Sequence, residues 1–444
     1  MEVYILGNGF DLHFGFPTKY ANFFHVVQFI IRYYDQKADA EVSSVGQIFS
    51  DCRLWDADND IKNAYRLYGD SYNLVSLDNT QLRKFAVKAA NNMWYKYLSE
   101  LLADTNSKPG QSGWIDVEKE IATAIDLIWQ VLSETERYHQ KVVLGQDIYF
   151  NSAKAFIINR FNFFWTSENQ IESYGLNAEK KIISTPYLME EPRGSGNLKV
   201  DKACIANKLY EELMALASLL QAYLYWFIDL PLSILVSDPR IAKNSVFMRN
   251  IENPVEVITF NYTHTWERLY NVFGNNASNV AHIHGKTIDS SNWDKENNIV
   301  LGINNDRKDE IDTLDTTFLQ FKKYYQRIVF FTEIPYQHLY TSISAKATHG
   351  EKISIKVRGH SLDVTDGDII KEIFKCSSMI SIYYHNEADL AAKTKSLVNI
   401  YGKQGLDNLK NKHNLRFFPM ATLSIPKQHH KPIKVRCKVP DNST

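Results

Sequence analysis

Two kinds of residue in this chain could do chemistry together. Gly7 and Gly9 come directly after an apolar run over residues 1–6, and such a run predicts a buried strand that leads into a helix. Open α/β sheets bind nucleotides at such a turn, because glycines let backbone N–H groups approach a phosphate closely. The sequence therefore predicts a nucleotide site that begins at residue 7.

Polar residues of the second kind follow later apolar runs, where the carboxyl ends of parallel strands place ligands. They are Thr259, Asn261 and Thr263 after the first such run, His282 and His284 after the second, Gly302 after the third, and Gly359, His360, Ser361 and Asp363 after the fourth. The imidazole of His284 could accept a proton from a hydroxyl or water, because its unperturbed pKa is about 6.5. His282 would lie deeper in the sheet, and we expect it to be structural.

The elements that must position these residues follow from the hydrophobic pattern. Short apolar runs predict strands over 1–6, 255–260, 280–283, 299–301, 327–331, 353–357 and 379–383. Helical patterns between them favour a parallel sheet. The predicted fold is α/β, a Rossmann-like parallel sheet with a large, mainly α-helical insertion after the first strand.

Four segments divide the chain on this interpretation. Residues 1–34 supply the first strand, the glycine turn and a helix that Thr18 would cap. Residues 35–250 form the mainly helical insertion. Residues 251–410 complete the α/β core, and residues 411–444 form a C-terminal extension with a basic tail.

Composition narrows the partners and the compartment. The 50 basic and 51 acidic residues give a net charge of −1, so no general field attracts nucleic acid or an acidic membrane, and neither is expected as a partner. The four cysteines form no C-x-x-C pair, so no zinc site is expected. The N-terminal residues lack a basic region followed by an apolar run and a small-residue cleavage site, so secretion is not expected, and unpaired cysteines favour the cytoplasm. The apolar stretch 213–228 is shorter than the roughly 20 residues that span a bilayer and predicts a buried helix.

The order of these motifs is similar to that of the sirtuins. Gly7, Gly9, Gly15 and Pro17 stand in the register of their first glycine motif, and the later T-x-N, H-G and G-x-S-L motifs follow in the same order. The chain departs from the sirtuin pattern where Asp11 replaces a serine, Thr18 an aspartate, Tyr20 an arginine and Thr263 an aspartate.

A narrower resemblance covers nearly the whole chain. The segments G-N-G-F-D-L-x-x-G-x-P-T, T-F-N-Y-T, H-I-H-G and G-H-S-L-D-x-T-D resemble the AbiH family of phage abortive-infection proteins. Residues 114–118 resemble its W-x-D-x-E segment, and residues 382–385 its late Y-Y-H strand. This resemblance implies phage defence by shutting down the infected cell, around a sirtuin-like nucleotide-binding core.

The sirtuin-like resemblance also implies a reaction, the cleavage of NAD between nicotinamide and ribose. Asn261 would orient the ribose or the attacking water, and His284 would accept a proton. The nucleotide would be held by the remaining motif residues: Gly7, Asn8, Gly9, Asp11, Pro17, Thr18, Thr259, Gly302, Gly359, His360, Ser361 and Asp363. Without a zinc module to bind a peptide, water is the natural acceptor, and the implied activity is NAD hydrolysis.

Two other hypotheses stay open. A metal-dependent nuclease or nucleotide hydrolase would use Asp11 with Asp116, Glu118 or Asp363 as ligands for a hard cation. A non-catalytic, nucleotide-gated sensor would act through a partner. Asp116 and Glu118 also lie at a helix start, which carboxylates favour, and one of Asp363, Asp366 and Asp368 is expected to cap a helix. Expected partners are a nucleotide, a phage-derived trigger and a second copy of the chain.

Overall fold

The computed structural model describes residues 1–36, 41–51, 58–106, 116–142, 198–237, 255–271, 279–289, 292–303 and 316–420, with a few residues between 153 and 190. Those few residues include the short strands Phe164–Thr166, Lys181–Ile183 and Leu188–Glu190. The first pairs with the second, and the third with Leu198–Val200, both in antiparallel register. The basic tail after residue 420, Cys52 and Cys437 lie outside the described residues.

A six-stranded parallel sheet forms the core. Its strands are β1 (Glu2–Leu6), β2 (Glu256–Thr259), β3 (Asn279–His282), β4 (Ser354–Arg358), β5 (Met379–Tyr384) and β6 (Leu415–Pro419), in the spatial order β6-β5-β4-β1-β2-β3. The chain runs from β1 to β2 and β3 on one side, then returns to β4 on the other. The carboxyl ends of β1 and β4 therefore flank the topological switch point, where such sheets bind ligands.

Helices surround this sheet. Before β2 the described helices are α1 (Asn8–His13), α2 (Tyr20–Gln36), α3 (Val45–Asp51), α4 (Asn59–Leu74), α5 (Asn79–Asn91), α6 (Met93–Asn106), α7 (Val117–Val142), α8 (Lys202–Leu224) and α9 (Leu230–Ser237). After β3 they are α10 (Lys323–Val329), α11 (Glu333–Thr348), α12 (Gly367–Lys375) and α13 (Glu387–Lys412). The prediction of an α/β fold with a helical insertion after the first strand is confirmed.

The two faces of the sheet pack against different helices. Tyr4 and Leu6 of β1 join the large core of the helical insertion. Val3 and Ile5 face the opposite way, into a smaller core that includes Ile343 of α11 and other residues of α12 and α13. This alternation is what a strand buried on both faces requires.

Two predicted strands are wrong. Residues 299–301 are buried but form no strand, and Ile303 makes only an isolated bridge to Lys322. Residues 327–331 lie in α10 and the turn after it. Helix α10 buries Lys323 and Arg327 and exposes Ile328, so its hydrophobic pattern is the reverse of the usual one. The sheet also extends past residue 410, because β6 pairs with β5.

The most apolar helical run, Lys202–Ser237, comprises α8, a π-helical turn (Tyr225–Asp229) and α9. Among the described residues it alone is long and apolar enough to cross a membrane, and 67% of its most apolar window is buried inside the protein. The tyrosine Tyr223 within it donates to the Pro17 carbonyl, 2.5 Å away. These contacts are those of a core helix, as the sequence predicts.

Candidate active site

The glycine turn after β1 packs directly on the turn after β4. The Gly7 N–H donates to the Arg358 carbonyl (3.2 Å), and the Gly9 N–H donates to the Gly359 carbonyl (2.8 Å). Gly359 has φ +67°, and a Cβ there would lie 1.9 Å from the Phe10 nitrogen. The glycines thus allow two backbones to touch at the switch point. The Gly7 and Gly9 N–H groups are bonded within the protein, and the phosphate-binding role of these glycines stays a prediction.

Neighbouring residues of the same motif support the turn. The Thr18 hydroxyl donates to the Asn8 side chain (2.5 Å), and it makes no capping bond to α2. Gly15 has φ +81°, a conformation that favours glycine. Asp363 is exposed and accepts from the Thr365 N–H (2.9 Å), so it caps the short 3₁₀ helix Val364–Asp366, whereas α12 begins without a side-chain capping bond. The glycine motif is recognisable in the sequence, but the prediction that Thr18 caps α2 is wrong.

The remaining predicted ligand residues lie at the ends of other strands. Thr259 accepts from the Asn261 N–H through its hydroxyl (3.1 Å). A Cβ on Gly302 would lie 2.5 Å from the Phe321 carbonyl oxygen, so a close backbone approach requires this glycine. Ser361 is exposed beside the switch point. Binding of a nucleotide by these residues stays a prediction.

A buried ionic cluster lies beside the switch point, and we name it the Asp366 cluster: Asp366, His284, His360, Lys323 and Glu118. The His284 Nε2 lies 3.2 Å from one Asp366 carboxylate oxygen, and the His360 Nε2 lies 3.5 Å from the other. Lys323 Nζ lies 2.7 Å from Glu118 Oε2 and 3.5 Å from Asp366. Three separate segments after β3, after β4 and at the start of α10 meet α7 of the insertion here.

Proton affinities within the Asp366 cluster diverge. Contacts with Lys323, His284 and His360 hold the pKa of Asp366 well below its ordinary value, although burial opposes this. Burial raises the pKa of Glu118 to about 7, although the contact with Lys323 lowers it. Burial and the nearby Lys323 charge lower the pKa of His284 to about 4. At neutral pH, His284 is therefore a neutral imidazole beside an ionised carboxylate.

His360 is oriented by its own backbone. Its Nδ1 accepts from the Leu362 N–H (2.8 Å), so in the neutral ring the proton sits on Nε2, the atom that faces Asp366. The Lys393 ammonium donates to the His360 carbonyl (2.9 Å). Leu362 is fully buried at φ +59°, a strained conformation for leucine. This strained turn therefore holds the His360 ring toward Asp366.

His284 is close to Asp366 but not bonded to it. Its buried Nε2 has no aligned hydrogen-bond partner despite the 3.2 Å separation. The Phe260 ring packs edge-on against His284, with centroids 5.3 Å apart, and also against His360 at 4.3 Å. The imidazole is thus held by packing more than by hydrogen bonds.

A second buried group, the Asp11 cluster, comprises Asp11, Asn261, Thr263 and Thr265. Thr263 donates to the Asp11 carboxylate (2.5 Å), and Thr265 donates to the Thr263 hydroxyl (3.1 Å). Asp11 is 1% exposed, and burial raises its pKa to about 7 against the opposing bonds from the threonines. The second carboxylate oxygen of Asp11 and the amide oxygen of Asn261 are buried without a partner.

The predicted pair, Asn261 and His284, belongs to two different clusters on neighbouring loops. The loops are joined by the Ile283 N–H, which donates to the Thr259 carbonyl (2.9 Å). No hydrogen bond connects the two side chains themselves, since Asn261 lies in the Asp11 cluster. His282 bonds the Asn261 carbonyl through Nδ1 (3.0 Å) and Glu267 through Nε2 (2.6 Å). As predicted, His282 has structural contacts.

Sequence reasoning missed several charged residues of this site. The sequence indicates Asp366 only as a helix cap, and Glu118 as a helix-start carboxylate or a ligand for a hard cation. Asp116 performs the helix-start role by accepting from the Lys119 N–H (3.1 Å). Lys323 was not considered, because a lone lysine beside an apolar run gives no motif. Only the three-dimensional structure brings α7 and α10 together.

The metal-dependent hypothesis gains no ligand set from the geometry. In the described part of the chain, no three His, Cys, Asp or Glu side chains are grouped to hold a metal ion. Asp11 is bonded by Thr263, and Asp363 is a capping residue. Asp116 also caps a helix.

Together these features define an α/β protein with buried acidic and basic side chains at the carboxyl edge of a parallel sheet. The family model for bacteriophage abortive infection AbiH matches residues 3–384, and the chain belongs to the AbiH family. The matched range contains the glycine turn, the Asp11 cluster and the Asp366 cluster. No curated protein matches the chain, and no solved structure matches it. Family membership assigns the chain to phage abortive infection.

Proposed function

We propose that this AbiH protein acts in phage defence by hydrolysing NAD at the bond between nicotinamide and ribose. One observation carries the proposal: a neutral imidazole, His284, lies 3.2 Å from the ionised carboxylate of Asp366. An imidazole in this state can take a proton, and the adjacent carboxylate stabilises the positive charge that results.

The reaction needs one water molecule and no external oxidant or reductant. Water adds to the ribose carbon as the bond to nicotinamide breaks, through an oxocarbenium-like transition state. His284 accepts a proton from that water or from a ribose hydroxyl. The products are nicotinamide and ADP-ribose, with one proton released to solvent.

Unpaired acceptors favour a ligand that is rich in hydroxyl groups. The Asn261 amide oxygen and one Asp11 carboxylate oxygen are buried without hydrogen-bond partners. Buried polar atoms of this kind cost free energy unless a ligand satisfies them. Ribose hydroxyls are donors and could bond both, which supports a role for Asn261 in orienting the sugar.

Asp11 departs from the sirtuin pattern by placing a carboxyl group near the proposed nucleotide. A fixed negative charge would repel the phosphates of NAD. Burial raises the pKa of Asp11 to about 7, so a large fraction of this group is uncharged near neutral pH. The repulsion is correspondingly reduced.

The test is nicotinamide release from NAD by the purified full chain and, in parallel, the NAD content of phage-infected cells that produce it. We expect His284→Gln to lower the turnover about 10²-fold or more, as for loss of a general base. Asn261→Ala should also lower the turnover, and His338→Gln, an exposed histidine on α11, should leave it unchanged.

Two results would overturn the proposal. The first is stable NAD in both assays while the chain still protects cells against phage. The second is full protection by a folded His284→Gln variant, which would instead favour the sensor hypothesis.

A further inference from the structure

One half of the parallel sheet carries a polar face. Strands in parallel sheets are normally buried on both sides, yet β4, β5 and β6 alternate apolar and polar residues. Ile355, Val357, Ile380 and Ile382 are fully buried on one face. The opposite face presents the half-buried Lys356, Arg358 and Tyr383 and the exposed Arg416 and Phe418, around the buried Ser381. Such alternation is typical of a sheet with one face exposed to solvent.

Register arranges this polar face in rows across the strands. Lys356 pairs with Ser381, which pairs with Arg416. In the next row, Phe418 pairs with Tyr383, and their ring centroids lie 5.8 Å apart. Phe418 is 37% exposed, and Arg416 is exposed. Aromatic rings and cations therefore interleave on one accessible surface.

Arg358 is the central cation of this surface. Its guanidinium lies 4.9 Å from the centre of the Tyr383 ring and 5.6 Å from that of Tyr4. It has no ion pair with a carboxylate in the described ranges, and its Nε is buried without a hydrogen-bond partner. A half-buried guanidinium in this state is suited to bind a phosphate group.

Two imidazoles border this surface at the carboxyl end of the strands, and His13 is neutral at neutral pH because burial lowers its pKa to about 4. His13, at the end of α1, and His385, just after β5, have ring centroids 6.0 Å apart. Arg416 adds a cation on β6, where, among the described residues, its Nε donates only to the neutral Asn414 side chain (3.0 Å). Lys356 is the exception, because it pairs with Glu2 (2.5 Å).

We propose that the face formed by β4, β5 and β6 binds single-stranded nucleic acid, with phosphates on Arg358 and Arg416 and bases stacked on Tyr383 and Phe418. The charge of the face is complementary to phosphate. Aromatic sheet faces stack unpaired bases, and nearby cations follow the backbone. An exposed face suits a strand better than a small ligand, because small-ligand sites are concave. The near-zero net charge of the chain agrees with a local surface of this kind.

The test is fluorescence anisotropy of a labelled 12-nucleotide oligothymidylate with the full chain at 50 and 200 mM salt. We expect binding that weakens with salt, as counterion release requires. Phe418→Ala and Tyr383→Ala should each raise the Kd at least fivefold. Arg416→Gln should reduce the slope of log K against log salt by about 0.7, the value for one phosphate contact on a single strand.

Lys371→Gln is the matched control, because Lys371 is an exposed cation on α12, on the opposite side of the sheet. It should change neither the Kd nor the salt slope. Phe418 lies on an edge strand at the surface, so its variant keeps the test interpretable if Tyr383→Ala misfolds. No binding at 50 mM salt, equal binding of duplex DNA, or full competition by millimolar AMP would overturn the proposal. None of these outcomes depends on NAD hydrolysis.

Discussion

Lys323 Nζ lies 2.7 Å from Glu118 Oε2, and this ion pair joins helix α7 of the insertion to helix α10 of the core. The same ammonium lies 3.5 Å from Asp366, so one buried cation serves the buried Asp366 carboxylate and the partly buried Glu118 carboxylate. The insertion therefore contributes a charged residue to the candidate site, besides packing on the sheet.

Removing the Lys323 ammonium should lower the free energy of unfolding. Lys323→Met would leave the carboxylates of Glu118 and Asp366 without their shared partner. Removing one partner of a buried ion pair typically lowers the free energy of unfolding by about 3–5 kcal/mol. Urea unfolding of the full chain should show a loss of this size. The double variant Lys323→Met with Glu118→Gln should recover part of it. A loss below about 1 kcal/mol would mean that water or another cation replaces Lys323.

The contact between the two turns at the switch point can be tested with a pair of glycines. Gly359→Ala should prevent the turn after β4 from packing on α1, because its Cβ would lie 1.9 Å from the Phe10 nitrogen. Gly350→Ala is the control, since Gly350 has a similar positive φ but nothing within 4 Å of its Cβ. We expect Gly350→Ala to lower Tm by a few degrees. Gly359→Ala should lower Tm far more, or give insoluble protein. Equal losses would show that φ alone matters.

The sequence identified the outline of this site for physical reasons. Glycine turns and polar residues at strand ends leave local patterns, so Gly7, Asn261, His284 and Gly359 could all be placed at one sheet edge. The pairing of Lys323 with Glu118 joins residues more than 200 positions apart, and no local pattern encodes it. The contact of Asn261 with Asp11 depends on which way a loop side chain turns.

Helix α10 shows why hydrophobicity alone misled the strand prediction at 327–331. Lys323, Gln326 and Arg327 are buried there, while Ile328 and Val329 are exposed. Arg327 is held by Asp368 (2.6 Å) and Gln326 by backbone carbonyls. The helix buries polar side chains, and a pattern that assigns apolar residues to the interior cannot detect this.

Asp11 should make stability depend on pH. Its pKa is raised from 3.8 to about 7 in the folded chain, so the folded state holds a proton that the unfolded state has lost. The stabilisation that this proton gives the folded state is fully present below about pH 4. It is lost as the pH rises through 7, and the total loss in the free energy of unfolding is about 4 kcal/mol at most. Thermal unfolding between pH 5 and 8 should show that Asp11→Asn flattens this decline. The same decline in both proteins would assign it to other groups, of which Glu118 is the first to test.

If the proposed function is right, the fall of kcat/KM for NAD hydrolysis at acid pH (the acid limb) should follow the protonation of His284. The general base must be neutral, and its pKa is lowered to about 4, so kcat/KM should show no loss from pH 7.5 down to about 5 and should fall below that. An unperturbed histidine would lose activity near pH 6.5. Lys323→Met removes a nearby positive charge and should therefore move the limb to higher pH, whereas Asp366→Asn should move it lower. A limb near pH 7 that disappears in Glu118→Gln would identify Glu118, and not His284, as the titrating group.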